Sequence, residues 1–160
     1  GFYYLMNGLQ LERLCFMPSS IATMEFAISE SLSYMNERKA FGKSINKLQV
    51  LRHRIAQLSS EIEALKVFSY YCCNLFDKNI YDVKLCSMGK LLCTELHEKV
   101  STQCLQFFGG NGYTEDYPMA RMYRDCRVGT IGGGTSEIMR DIIAKIVIDG
   151  KDYEAEKSRI

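Results

Sequence analysis

The stretch TIGGGTSE, Thr130 to Glu137, sets three consecutive glycines directly before a Thr-Ser-Glu that reads as the start of an apolar helix running from Thr135 to Ile148. A helix N-terminus presents unpaired N–H groups, and glycines allow that backbone to approach a phosphate or a flat ring closely. A second loop, FGGNGYTEDYP from Phe108 to Pro118, brings the two loops' share to six of the twelve glycines. Tight turns are the alternative use for both. GGNGY is not a dinucleotide fingerprint, because no strand precedes it and no third glycine follows at the required spacing. Among the carboxylates, Glu12 in LQLERL falls at the start of a helical pattern, where acid is favoured by the helix dipole and the plain reading is a solvated side chain. The two histidines, His53 and His97, lie far apart, HEKVS lacks the second histidine of a metalloprotease helix, and the cysteines form no CxxC pair. No metal site is expected; both histidines read as helix-surface or packing residues.

The elements that must position these loops are helical. Leu48, Leu51, Ile55, Leu58, Ile62, Leu65 and Phe68 step by threes and fours, the signature of a long amphipathic helix. A similar pattern runs from about Leu11 to Met35 through Leu14, Cys15, Ile21, Ile28 and Leu32, with Pro18 expected to kink or reset it. A third covers about Val83 to Phe107 through Cys86, Leu92, Leu96, Val100 and Cys104. With the helix after Thr135, and no useful strand alternation, these predict an all-α domain, an antiparallel four-helix bundle in which nearly every apolar stripe is core.

Composition bounds the partners. At 160 residues, 47% hydrophobic and 24% charged, the chain has the make-up of one ordinary globular domain. A formal net charge of +1 with both signs dispersed offers no electrostatic case for nucleic acid or an anionic membrane. No apolar run reaches the roughly 20 residues of a membrane span. Seven cysteines, an odd number at helical core positions, read as buried thiols in a reducing, intracellular compartment.

Three separated motifs then resemble one family. YMNERKAFGKSINKLQ (Tyr34 to Gln49), QFFGGNGYTEDYPMARMYRD (Gln106 to Asp125) and IGGGTSEIMRDIIA (Ile131 to Ala144) are similar, in order and spacing, to the C-terminal helical domain of the acyl-CoA dehydrogenases. The resemblance extends from about Leu11 to Asp149. It implies that residues 1–160 form a single bundle domain, the C-terminal part of a longer flavoenzyme whose N-terminal helical and middle β domains lie outside this sequence, and that the domain alone is inactive. The family's reaction takes an acyl-CoA thioester to its trans-2-enoyl product by loss of the α proton to a carboxylate and of the β hydride to FAD.

In many relatives the catalytic glutamate occupies the position of Gly133. A subgroup, resembling the long-chain and isovaleryl types, carries it instead in a segment like LQLERL, which implies that Glu12 is the base. General-base catalysis needs the carboxylate within hydrogen-bond reach of the proton, whichever backbone segment delivers it. Two carboxylates at one small site would repel, so Glu12 is best matched by a small uncharged residue at 133. An enclosed apolar pocket would raise the Glu12 pKa toward the operating pH.

The resemblance further implies that the Gly133 backbone N–H polarises the thioester carbonyl and that Arg13 orders the wall of the substrate site. Arg38 corresponds to an arginine on the FAD pyrophosphate of a neighbouring subunit, with Phe41 beside it and Gln49 at the adenosine part. Gln106 and Gly110 correspond to a second cross-subunit FAD contact, and Thr135 and Glu137 to contacts with the FAD of their own subunit, an N-cap being the other use of Thr135. Arg124 and Asp125 are expected to form structural pairs.

Sharing FAD implies a homo-oligomer, dimer or tetramer, with electron-transfer flavoprotein as electron acceptor and the mitochondrial matrix or bacterial cytoplasm as location. The Glu12 placement points to medium or long acyl chains, with a short branched acyl group as the alternative. Pro18 and Ala40 depart from the residues of many relatives. Two other readings fit the same bundle: a catalytically silent assembly or binding module, and an acyl-CoA oxidase.

Overall fold

The computed structural model describes residues 1–151 and 153, without the side chains of Phe2, Tyr3 and Asn7; the remainder of the expected 1–160 domain lies outside the described residues. Three long helices dominate: α1 (Phe2–Glu37), α2 (Gln49–Asp77) and α3 (Val83–Phe108). After them come the short helices α4 (Gly110–Tyr113) and α5 (Met119–Asp125), a 3-10 helix over Cys126–Thr130, and α6 (Ser136–Val147). The α1–α2 connection holds a two-residue antiparallel pair, β1 (Lys39–Ala40) and β2 (Lys43–Ser44), and a 3-10 turn over Ile45–Lys47.

The core follows from helical spacing. On α1, Leu14, Met17, Ile21, Met24, Ile28, Ser31 and Met35 alternate steps of three and four, and every one is buried, so one continuous stripe faces the bundle. On α3 the matching stripe is Cys86, Cys93, Val100 and Cys104, and on α2 it is Leu58, Ile62, Ser69 and Cys72. Contacts fix the directions. Lys66 of α2 pairs with Glu25 of α1 at 2.6 Å, and Lys99 of α3 with Glu61 of α2 at 2.7 Å, so each neighbour in sequence runs antiparallel to the last. The first and third helices run the same way, since Gly89 lies against Met17 and the Tyr34 hydroxyl donates to the Phe108 carbonyl at 3.3 Å. A Cβ on Gly89 would stand 2.1 Å from Met17 Sδ; glycine is what lets α1 and α3 approach there.

Two expectations about α1 are corrected. It starts at Phe2 and continues through Pro18 without being reset. Proline removes the hydrogen bond to the Leu14 carbonyl, but Pro18 sits on the exposed side and the buried stripe around it keeps the helix intact. Leu32 and Leu92, read as core, are 42% and 49% exposed, because each lies off its helix's buried stripe. Cys15 is likewise exposed. Burial pushes Cys93 up to about 12 and Cys72, Cys86 and Cys104 up to about 11, which leaves these thiols protonated and unreactive at neutral pH. Helical structure enters the chain read as loop: α4 lies within the first glycine loop, and α5 and the 3-10 helix fill the stretch between the two. Among the described residues no helix is long and apolar enough to cross a membrane.

Candidate functional site

Gly132, Gly133 and Gly134 form the turn that delivers the chain into α6. Gly133 (φ 63°) and Gly134 (φ 104°) are in the left-handed region, where a side chain is strained. Two buried cations from two helices hold this turn. Arg13 of α1, 5% exposed, donates from Nε to the Gly133 carbonyl at 3.1 Å. Lys90 of α3, 0% exposed, donates from Nζ to the next carbonyl, that of Gly134, at 2.6 Å. The Lys90 ammonium also lies 5.6 Å from the centroid of the Phe16 ring, a cation–π distance.

Burial is the main influence on both cations and pulls each below its ordinary pKa. The Arg13 charge adds to the effect on Lys90, which Glu12, Glu137 and Glu95 oppose; the Cys86 thiol and Glu12 oppose it on Arg13.

Glu12 faces the same turn. A Cβ on Gly133 would stand 3.6 Å from Glu12 Oε1 and 3.1 Å from Phe16 Cε2, so any side chain at 133 would enter the space beside the Glu12 carboxylate. The plain reading of Glu12 as an acid of a helical first turn does not hold. Because α1 begins at Phe2, Glu12 is not in a first turn, and the dipole effect, confined to the terminal turn, does not reach it. Glu12 is exposed among the described residues.

At the start of α6 the Thr135 hydroxyl accepts from the Ile138 N–H at 3.3 Å, an N-cap. Hydrogen bonds from its own backbone N–H and from the Thr135 hydroxyl hold the exposed Glu137 carboxyl below its ordinary value. A half-open pocket of 330 Å³ adjoins this helix start, lined by Thr130, Thr135, Ser136, Glu137 and Arg127 among others. The Ser136 hydroxyl is buried there without a partner among the described residues. Arg127 reaches the Thr130 hydroxyl and pairs with Glu98 at 3.6 Å, and Arg140 pairs with Glu95 at 2.6 Å.

The remaining predicted residues form a second group at the other end of α1. Arg38, Phe41, Gln49, Gln106 and Gly110 are all exposed, and Phe41 is 92% exposed with φ 54°. What joins the α1 and α3 ends that carry them is aromatic packing. The rings of Tyr34 and Phe108 stack at 4.2 Å, Tyr117 closes on both at 5.5 and 5.1 Å, and Asn111 Nδ2 donates to the Tyr34 hydroxyl at 2.9 Å. Glu12 and Arg38 are 26 positions apart, about 39 Å at helical rise. The two groups are therefore not one site. Arg124 of α5 pairs with Glu115 at 2.8 Å.

Lys90 and Phe16 were not foreseen. Lys90 left a trace in the sequence: it occupies a step of the α3 stripe Cys86, Lys90, Cys93, where only apolar or small residues otherwise occur, and a cation in core register must find a partner. His97, half-buried on α3 with Nε2 unpartnered, is a packing residue, and burial lowers its pKa. Among the described residues no group of three or more His, Cys, Asp or Glu is placed to hold a metal ion.

A helical bundle that carries a clamped glycine turn against one end of its first helix has a match among known proteins. The family model "Acyl-CoA dehydrogenase, C-terminal domain" matches residues 1–148, and the chain belongs to that family. It is 40% identical over 148 residues to the long-chain specific acyl-CoA dehydrogenase, mitochondrial, of Rattus norvegicus, covering 92% of this chain and 34% of that protein. It is 35% identical to the caffeyl-CoA reductase-Etf complex subunit CarC of Acetobacterium woodii, over 92% of this chain and 39% of that one. Among solved structures, an acyl-CoA dehydrogenase from Geobacillus kaustophilus superposes with a TM-score of 0.88 at 36% identity, over 91% of this chain and 38% of the other. The chain spans between a third and two fifths of the length of these relatives.

Proposed function

We propose that this chain is the C-terminal domain of an FAD-dependent acyl-CoA dehydrogenase, that Glu12 is its catalytic base, and that the domain alone is inactive. The observation that carries the reading is the juxtaposition of Glu12 Oε1 with the vacant side-chain position of Gly133. Many relatives put their base at that position, and here an acid from α1 reaches the same space while the turn offers none.

The residues present fit a flavin nucleotide. The start of α6 offers a buried Ser136 hydroxyl in need of a partner beside Arg127, groups that suit a nucleotide's oxygens, while Glu95, Glu98 and Glu137 on the same pocket wall favour its hydroxyls over its diphosphate. Glu137, anionic at neutral pH, suits a sugar hydroxyl. The exposed Arg38, Phe41, Gln49, Gln106 and Gly110 offer a guanidinium fork, a ring and amides to a second nucleotide. A separation of about 39 Å along a helix exceeds the reach of one dinucleotide, which supports sharing between subunits of a homodimer or homotetramer.

When bound, FAD supplies the acceptor for the β hydride. The chain's own residues do the rest. The Gly133 N–H donates to the thioester carbonyl and acidifies the α carbon. Glu12 takes the α proton, and the Arg13 guanidinium steadies both its carboxylate neighbour and the turn. Closure of the site over Glu12 falls to the other domains of the whole protein.

Medium or long acyl-CoA is the proposed substrate class, supported by the long-chain rat relative. Electron-transfer flavoprotein is the proposed acceptor, supported by the Etf-complex relative. The mitochondrial matrix or a bacterial cytoplasm is the proposed location.

The test is anaerobic titration of the full-length protein with acyl-CoAs, wild type beside Glu12→Gln. The expected result is bleaching of the oxidised flavin band in wild type, and ligand binding without bleaching in the variant. Equal bleaching in both would place the base elsewhere; none in either, with FAD bound, would leave a silent module.

A further inference from the structure

We infer that Lys90 is a positioning residue for the reaction: by holding the Gly134 carbonyl from inside the bundle, it fixes the glycine turn in which the Gly133 N–H meets the thioester and turns the Thr135 N–H toward the bound nucleotide. The inference rests on the reading of this turn as the thioester site.

The argument starts from peptide geometry. A trans peptide unit is planar, with its C=O and the following N–H on opposite sides. Lys90 fixes the Gly134 carbonyl inward at 2.6 Å, so the Thr135 N–H points away from the core. Arg13 does the same to the Gly133 carbonyl at 3.1 Å, and thereby to the Gly134 N–H. Consecutive peptide units are thus turned outward by cations from two different helices. A charged donor on a carbonyl also polarises that peptide unit, which makes the opposite N–H a stronger donor.

The turn needs such a clamp. Glycines at φ 63° and 104° carry no side chains to pack, and glycine backbone has the most conformational freedom to lose. A neutral core residue at position 90 could fill the space under the turn but could not hold it. Burying a lysine is costly unless the charge is paired or hydrogen-bonded, and here the compensation comes from Gly134, the Phe16 ring face and the nearby carboxylates. Lys90 touches neither substrate nor cofactor in this arrangement; it acts through the turn.

The test uses the full-length flavoprotein with Lys90→Met and Lys90→Arg. Hydrogen exchange, read by mass spectrometry on peptides spanning the turn, needs no turnover. In Lys90→Met the segment 130–137 should exchange roughly tenfold faster than in wild type, the order expected when one charged hydrogen bond is lost, while the middle of α1 and of α3 stays protected. The limiting rate of anaerobic flavin bleaching should fall by about 10- to 100-fold, with FAD content kept and acyl-CoA affinity changed less than the rate. Lys90→Arg, which keeps the charge and the donors, should recover part of both.

Unchanged exchange of the turn in Lys90→Met would overturn the clamp. Faster exchange with an unchanged limiting rate would overturn its role in positioning. Should Lys90→Met fail to fold, Lys90→Gln, with a donor but no charge, takes the same measurements and should fall between wild type and loss. Failure of the underlying site reading is seen separately, as wild-type bleaching in Glu12→Gln.

Discussion

The two ends of α1 are built on opposite principles. Near Glu12 the chain closes on itself: Arg13 and Lys90 are buried, each spends a charged hydrogen bond on a glycine carbonyl, and the turn they hold has little freedom. Around Arg38 the chain leaves its polar and aromatic groups outside, Phe41 almost wholly so, and only the Tyr34–Phe108–Tyr117 cluster beneath them is packed. The first end holds its own geometry. The second is a surface ready for something else to cover, as the proposed role of these residues at a neighbouring subunit's cofactor requires.

That contrast can be broken by mutation. Arg13→Met should be the most disruptive, costing about 2–4 kcal/mol because it removes a buried charged donor and leaves the part-buried Gly133 carbonyl without its partner; urea unfolding measures it. Gly89→Ala comes next, at about 1–3 kcal/mol, since the new methyl must displace the buried Met17 side chain. Tyr34→Phe should cost about 1 kcal/mol for the lost bonds with Phe108 and Asn111. Arg38→Ala should leave stability within about 0.5 kcal/mol while weakening FAD retention by the oligomer. A large loss of stability from Arg38→Ala would erase the distinction between the ends.

A smaller effect is pH-dependent. Burial holds the His97 pKa below its ordinary value of 6.5. Below that value the unfolded chain binds the proton that the folded chain refuses, so stability present above pH 6.5 declines as pH falls toward the folded-state pKa. His97→Gln should flatten that acid-side decline in thermal unfolding measured across pH 5 to 7, a window set by the direction of the shift.

The fold was legible where periodicity was strong. The stripes of α1, α2 and α3 and the cap at Thr135 could be read from spacing and residue type, because helical burial repeats at a fixed interval. What could not be read was set by tertiary contact. Pro18 looked like an interruption, since local propensity does not know that the stripe on either side is buried in one core. The start of α1 at Phe2 was missed because its first turns expose Tyr4 and Leu5 and so carry no amphipathic signal. At the site, the glycines and Glu12 stood out by motif, whereas Lys90 required knowing that α3 passes beneath a turn 44 residues away.

The central claim is that Glu12 and position 133 address the same point from two backbone segments, and relocating the carboxylate tests it most directly. In the full-length flavoprotein, the rate of anaerobic flavin bleaching by acyl-CoA would be compared between Glu12→Gly and Glu12→Gly/Gly133→Glu. The single variant should be nearly inert. The double variant should recover roughly tenfold or more of the rate, short of wild type because the carboxylate-bearing residue introduced at position 133 must adopt a left-handed φ at a cost of about 1–2 kcal/mol. A double variant that folds, holds FAD and binds acyl-CoA, yet bleaches no faster than Glu12→Gly, would contradict the account.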